Sequence, residues 1–299
     1  MLNTIISISI FLIVLFLYIH IVFHHKKCDD LEVYVIEDMP HKNKWEELCD
    51  LKQPILLKSF PDTFISQGSL PKLEDEYPMF DINIKQHSQK YLPITLNEGI
   101  ELLKNDSTYI SNNNEDFLNE TGIIKHIKSQ DMILRPSMCS RCLYDIWFIN
   151  NTFSISQFVF YHRTYIMPTF NDIEVALIPP QYTKYLDTIT DYDTITFTSD
   201  YNPWNQSHDH PQWNKVKSLK VSVKPGELLY IPPYWWFSIK TSSMTSIYVF
   251  SYLTYMNMIA HIHHYTNYFL QKQNIKQDIV MNKITPTEKK NETKTNNYL

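Results

Sequence analysis

Glycine is scarce in this 299-residue chain, and its scarcity excludes two classes of nucleotide-binding protein. The four glycines are Gly68, Gly99, Gly122 and Gly226, and no two of them lie near each other in the sequence. A dinucleotide-binding loop or a P-loop needs clustered glycines, because only a backbone without side chains approaches the phosphates closely enough. The chain has neither kind of loop.

An excess of basic residues is also missing. Lys and Arg together number 27 against 32 Asp and Glu, which gives a formal net charge of −5. A general nucleic-acid-binding protein needs a basic surface for its phosphate contacts, so we expect no nucleic-acid partner. Apolar residues make up 43% of the chain and aromatic residues 14%, which is enough for a packed core.

The four cysteines do not have the spacing of a zinc finger. Cys139 and Cys142 have the spacing of half a zinc site, but no second pair lies at finger distance. The two residues are interpreted either as structural thiols or as a local disulfide or redox pair. The sequence leaves both interpretations open.

An uncharged apolar run occupies residues 5–23, near the N-terminus. A helix that rises ~1.5 Å per residue needs about 20 residues to cross the hydrocarbon core of a bilayer. A cleaved signal peptide begins with basic residues and ends with small ones at the cleavage site, and this segment has neither feature. The run predicts a retained single-pass anchor that places residues 5–23 in a lipid bilayer.

The orientation of this anchor follows from its flanking charges. Lys26 and Lys27 follow the apolar run and no Lys or Arg precedes it, so the positive-inside rule predicts a cytoplasmic domain. The glycosylation sequons favour the opposite side, but a chain this rich in Asn, Ser and Thr contains about three by chance. The five sequons begin at Asn105, Asn119, Asn150, Asn205 and Asn291.

Short β-branched and aromatic runs, separated by Pro, Asn and Asp, fill the chain between residues 143 and 253. This pattern is typical of an antiparallel sandwich or barrel. Residues 256–275 have the pattern of an amphipathic helix, and residues 285–299 form a polar stretch without core residues.

Residues 224–236, which read KPGELLYIPPYWW, form the most specific motif in the chain. The segment resembles the late-strand signature of cupin-like, JmjC-type domains. Weaker matches precede it in the same order as in that family, at residues 54–57, 146–148 and 177–180. The resemblance covers residues 31–265 and implies a mainly β fold with flanking helices, a double-stranded β-helix (jelly roll) behind the N-terminal transmembrane helix.

The patterns and the resemblance together divide the chain into five segments. We expect a transmembrane anchor at 1–27, an N-terminal α/β lead-in at 28–145, a jelly-roll core at 146–256, a C-terminal helix at 257–283 and a disordered tail at 284–299.

Active relatives resemble Fe(II)- and 2-oxoglutarate-dependent hydroxylases, and the resemblance implies where their ligands would fall. In that family a His-x-Asp pair and a distal His after the two tryptophans hold the iron, leaving positions open for 2-oxoglutarate and O₂. The residue after the two tryptophans here is Phe237, and an ungapped count from residues 179–180 puts the pair on Phe158 and Phe160. The lysine that anchors 2-oxoglutarate becomes Ile173 by the same count.

These substitutions predict a domain without bound iron or 2-oxoglutarate, in effect a pseudoenzyme. We expect Phe158, Phe160, Ile173 and Phe237 to line an apolar pocket that holds a small apolar group or simply collapses. The leading hypothesis is therefore a membrane-anchored binding or scaffold protein whose partner is an unidentified protein or a small apolar ligand.

Two alternatives stay open. A working hydroxylase could use displaced ligands such as His162, His208 or His210, although histidines in a polar loop are more often solvated than ligating. We expect the histidines of the C-terminal helix, His261 among them, to lie on the surface. A purely structural, membrane-tethered protein is the third hypothesis.

Overall fold

The computed structural model describes residues 1–86, 90–192, 195–205 and 210–282 and, at residues 62, 63 and 274–282, only the backbone. The strands of this part of the chain are β1 (Tyr34–Ile36), β2 (Ile55–Leu57), β3 (Asp81–Gln86), β4 (Leu92–Thr95), β5 (Tyr109–Ser111), β6 (Cys139–Ile149), β7 (Ser156–Phe158), β8 (Arg163–Pro168), β9 (Ile173–Ile178), β10 (Thr188–Asp191), β11 (Thr196–Ser199), β12 (Leu219–Val223), β13 (Leu228–Ile231), β14 (Trp236–Thr241) and β15 (Thr245–Thr254). Its α-helices are α1 (Leu2–His25), α2 (Lys42–Asp50), α3 (Asp62–Gly68), α4 (Leu70–Glu76), α5 (Leu96–Asn105), α6 (Glu115–Glu120), α7 (Ile123–Gln130), α8 (Tyr255–Ala260) and α9 (Ile262–Asn282).

Two sheets face each other in this structure. The larger runs in the order β1-β2-β13-β8-β15-β6-β5-β3-β4 and the smaller in the order β10-β11-β7-β14-β9-β12. From β6 to β9 and from β12 to β15, successive strands alternate between the two sheets, and these eight strands pair with one another in antiparallel fashion. The predicted jelly roll is therefore confirmed.

The central strands of the larger sheet, β8, β13 and β15, are buried on both faces because helices cover the outer side of the sheet there. Every residue of β15 is buried, and its side chains alternate between two kinds of surroundings. Ile247 and Val249 belong to the hydrophobic cluster between the sheets, which also includes Val175, Leu177 and Phe237. Tyr248 and Phe250 belong to a second cluster, under the N-terminal helices. Since successive strand residues point to opposite faces, one strand serves both cores.

The KPGE turn explains part of the sequence motif. Gly226 has a φ of +95°, a backbone conformation that disfavours residues with a Cβ. The Glu227 carboxylate accepts a hydrogen bond of 2.8 Å from the Lys224 backbone N–H, and the Glu227 N–H donates to the Lys224 carbonyl at 2.9 Å. The turn thereby starts β13 in register with β8.

Several predicted boundaries shift in the structure. β6 begins at Cys139, seven residues before the predicted core, because it pairs along its whole length with β15. The predicted C-terminal helix begins at Tyr255 and is two helices, α8 and α9, that meet at His261. The predicted tail, residues 284–299, lies outside the described residues.

Helix α1 carries the predicted anchor. By length and composition it is able to cross a membrane, and none of its most apolar window is buried inside the protein. A signal sequence near an N-terminus passes the same test, so the helix by itself is weak support for a membrane span.

Candidate functional site

The interior face of the jelly roll is fixed by how β7 pairs with β14. Phe237 lies opposite Gln157, and Trp236 lies opposite Phe158. One residue further along, the Val159 N–H donates to the Trp235 carbonyl at 2.8 Å. Residues directly opposite each other share a face, so Gln157 and Val159 lie on the same face as Phe237 and Trp235. Val159, Trp235 and Phe237 belong to the hydrophobic cluster between the sheets.

Phe158 and Phe160 lie on the other face of this strand. The Phe158 ring packs against Trp236, with centroids 5.2 Å apart. The Phe160 ring packs 5.0 Å from His261 of the C-terminal helices. The expectation that both line a pocket with Phe237 is corrected, because a one-residue change of register exchanges the two faces of a strand.

Ile173 shares the interior cluster with Phe237 but lies further along the sheet. Ile173 pairs with Thr241 and Phe237 pairs with Leu177, so four residues separate the two positions. At ~3.3 Å per residue that separation is about 13 Å. The structure thus places the four predicted pocket residues in three different surroundings.

A carboxylate positions the ring that covers Phe237. Trp147 and Phe237 stack with their centroids 6.2 Å apart. The Trp147 indole N–H donates to Asp145 at 2.6 Å, and the same carboxylate accepts from the backbone N–H groups of Asn113 (2.8 Å) and Asn114 (2.6 Å). Burial raises the pKa of Asp145 to about 6, although these donors oppose the shift. Asp145 was not among the residues singled out from the sequence, although it lies only two positions before Trp147.

A shallow cleft opens beside Gln157 with an empty volume of ≈ 350 Å³, including space open to solvent. Both polar and apolar side chains line it, namely those of Lys85, Ile110, Asn112, Ser154, Ile155, Gln157 and Thr198. Burial lowers the pKa of Lys85, whose ammonium donates to the Tyr91 hydroxyl at 3.0 Å. The buried Asn112 side-chain oxygen has no hydrogen-bond partner. The cleft therefore offers one cationic donor and one unmatched acceptor.

The side chains around Phe237 do not fit an iron site. A phenyl ring, an amide and an isopropyl group stand where three strong ligands are needed. Within the described ranges, no three His, Cys, Asp or Glu side chains lie close enough to share a metal ion.

Two of the three alternative ligands, His162 and His210, pack against different partners. His162 is buried with its ring 5.0 Å from that of His24, and burial lowers its pKa. The His210 ring packs 4.6 Å from that of Trp213. His208 lies outside the described residues.

A polar junction joins α1 to the domain, and no local pattern in the sequence indicates it. The buried Lys52 ammonium donates to the carbonyls of Phe23 (2.6 Å), His24 (3.0 Å) and Lys26 (3.0 Å), at the C-terminal end of α1. The Tyr234 hydroxyl donates to the His24 carbonyl at 2.9 Å. Burial lowers the pKa of Lys52 to about 8, so the group is mostly protonated at neutral pH.

His261 completes this junction, which corrects the expectation that it lies on the surface. Its side chain is buried, with Nε2 2.8 Å from the Tyr234 hydroxyl oxygen and Nδ1 2.9 Å from the Asn257 carbonyl oxygen. Burial lowers its pKa to about 4. The irregular link between α8 and α9 turns this side chain inward, which helical periodicity alone does not reveal.

Cys139 and Cys142 are thiols in the structure, with their sulfur atoms 3.5 Å apart on β6. The two interpretations made from the sequence both remain predictions.

Comparison with known proteins agrees with this geometry. Residues 173–271 match the family model of the cupin-like domain, a span that runs from β9 into α9 and includes the KPGELLYIPPYWW motif. No curated protein matches the chain. The strands that precede the matched span, β6 to β8, complete the same jelly roll. The chain therefore contains a cupin-like domain.

Proposed function

We propose that this protein is a membrane-anchored cupin-like protein that acts by binding a ligand or partner and not by iron chemistry. The observation that carries the proposal is Phe237, which directly follows Trp235 and Trp236 and packs on Trp147. The two tryptophans fix its position in the motif, so this assignment does not depend on an ungapped count over other strands.

The chemistry around Phe237 supports a loss of metal binding. Phenyl rings offer no lone pair of a strength comparable to imidazole or carboxylate. Ile173 stands at the position of the lysine that anchors 2-oxoglutarate in the family by the ungapped count, and it offers no positive charge. Burying the 2-oxoglutarate carboxylate without a partner is costly.

The interior of the jelly roll is filled by its own side chains, so the ligand belongs in the cleft beside Gln157. The Lys85 ammonium and the unmatched Asn112 oxygen offer partners to the polar groups of a small ligand, and Ile110 and Ile155 offer apolar surface to the rest of it. The anchor is residues 5–23, and Lys26 and Lys27 favour a domain on the cytoplasmic side.

Metal analysis of the purified full-length protein tests this proposal. We expect no stoichiometric iron and no conversion of 2-oxoglutarate to succinate, with or without added Fe(II). Succinate production that is lost on substituting His162 or His210 would overturn the proposal and establish a hydroxylase with displaced ligands.

Two matched triple variants test the strand register. The first, Gln157→His with Val159→Asp and Phe237→His, puts all three ligand types on the interior face, and we expect it to gain Fe(II) or Zn(II) affinity. The second, Phe158→His with Phe160→Asp and Phe237→His, divides the ligands between two faces. We expect no gain, and metal binding by the second variant alone would contradict the register.

A further inference from the structure

Helix α8 and the start of α9 expose apolar side chains to the outside and bury polar ones. One side is apolar and faces outward, and its side chains are 57%, 38%, 40% and 65% exposed, in the order Tyr255, Met258, Ile259 and Ile262. Tyr255, Met258 and Ile259 follow the i, i+3, i+4 spacing of one helical face, and Ile262 is the first residue of α9. The opposite side holds Asn257 and His261, which are 1% and 3% exposed.

The buried polar side is held by specific contacts, so the orientation of α8 is well determined. Thr254 caps the helix, because its hydroxyl oxygen accepts from the Asn257 backbone N–H at 3.1 Å. His261 reaches Tyr234 at the α1 junction, as described above. A surface helix in water normally buries its apolar stripe, whereas this one exposes it.

The element beside this apolar face is the predicted anchor. Helix α8 packs against α1. The less exposed residues of α1 all lie in its last two turns and mostly on one face, at Leu17, His20, Ile21, Phe23 and His24. From Leu17 to His24 the helix rises about 10 Å, so α8 lies alongside the end of the apolar run.

We infer that α8 and the first residues of α9 lie in the interface of the same phospholipid bilayer that α1 crosses. The inference rests on the proposed anchoring. Amphipathic segments of this kind place their apolar face ~5–10 Å into the boundary between head groups and acyl chains, which matches the level of α8 along α1. The exposed Phe269 and Leu270 continue the apolar surface along α9.

Photocrosslinking of the full-length chain in phosphatidylcholine nanodiscs tests the inference. A benzoyl-phenylalanine probe is placed, one position per protein, at Ile259 and Ile262, where the native side chains are exposed and their replacement leaves the core intact. A probe at Phe16 reports the anchor. A probe at Phe170 is the matched control, because this 40% exposed aromatic residue lies beside Ser246, about 27 Å along β15 from α8.

We expect phospholipid adducts from the probes at Phe16, Ile259 and Ile262, at a yield at least tenfold above that at Phe170. Lipid adducts at Phe16 without adducts at Ile259 and Ile262 overturn the inference and leave the anchoring intact. Crosslinks from Ile259 or Ile262 to a second copy of the chain overturn it in favour of self-association. No lipid adduct at Phe16 overturns the anchoring and the inference together.

Discussion

Replacing Lys52 by Met should loosen the junction between α1 and the domain without unfolding the domain. The Lys52 ammonium is the donor that three carbonyls at the end of α1 share, at 2.6 to 3.0 Å. Two of these carbonyls have other donors, since Tyr234 donates to the His24 carbonyl and the Lys26 N–H donates to the Phe23 carbonyl.

The magnitude follows from what Lys52→Met leaves unpaired. Each buried carbonyl without a donor costs about 1–3 kcal/mol, and here the Lys26 carbonyl loses its donor while the Phe23 carbonyl keeps only a weaker one. Removing a buried ammonium recovers part of that cost, because its desolvation is relieved. We therefore expect a net loss of about 2 kcal/mol in the docking of α1, a factor of about 30 in the equilibrium constant.

Hydrogen exchange of the full-length protein in nanodiscs measures this change. In Lys52→Met, amides in residues 24–30 should exchange about 30-fold faster, while amides of β8 and β15 keep their rates. Lys58→Met is the matched control, because Lys58 is exposed and pairs only with Glu37 on the surface, so its loss should change little. Unchanged exchange at residues 24–30 in a folded Lys52→Met protein would refute the role given to Lys52.

Three further predictions concern topology, pH and the core. The five sequons should stay unmodified in eukaryotic cells, and a mobility shift on glycosidase treatment would place the domain in the lumen. Because burial lowers the pKa of His261 from 6.5 to about 4, the unfolded chain takes up its proton first on acidification. The free energy of unfolding should therefore fall by about 3 kcal/mol more in the wild type than in His261→Gln between pH 6.5 and 4, as pH-dependent denaturation would show, and equal losses would contradict the assignment. Asp131→Asn should lower the free energy of unfolding by about 3 kcal/mol, because the buried carboxylate pairs with Arg135 at 2.6 Å and accepts hydrogen bonds from the hydroxyls of Tyr144 and Tyr252. A fall in Tm of about 6–12 °C would match this cost, and an unchanged Tm would rule it out.

The structural features that could be predicted were those carried by residues close together in the sequence. The KPGELLYIPPYWW motif spans β13 and the start of β14, so it fixed Phe237 relative to Trp235 and Trp236 without knowledge of the rest of the chain. The strands between residues 143 and 253 could also be predicted as a group, because short β-branched and aromatic runs fill this part of the sequence. The apolar run of α1 was equally plain from its composition.

The interior face of β7 could not be predicted in the same way. Counting back from residues 179–180 to β7 crosses β9, β8 and two turns, and one residue more or less in a turn exchanges Phe158 for Gln157 on the interior face. Only the pairing of β7 with β14 decides this, because strand pairing fixes which residues are opposite each other.

The α1 junction was likewise decided by the tertiary structure alone. Lys52 lies 26 to 29 residues from the carbonyls it contacts, and Tyr234 lies 210 residues from His24. The sequence determined locally that α1 is an apolar helix and that α8 is helical. The side of α8 that turns inward is the one that carries His261, because His261 meets Tyr234 there, beside the carbonyls at the end of α1. Buried polar groups need hydrogen-bond partners, and only the folded chain brings these partners within reach.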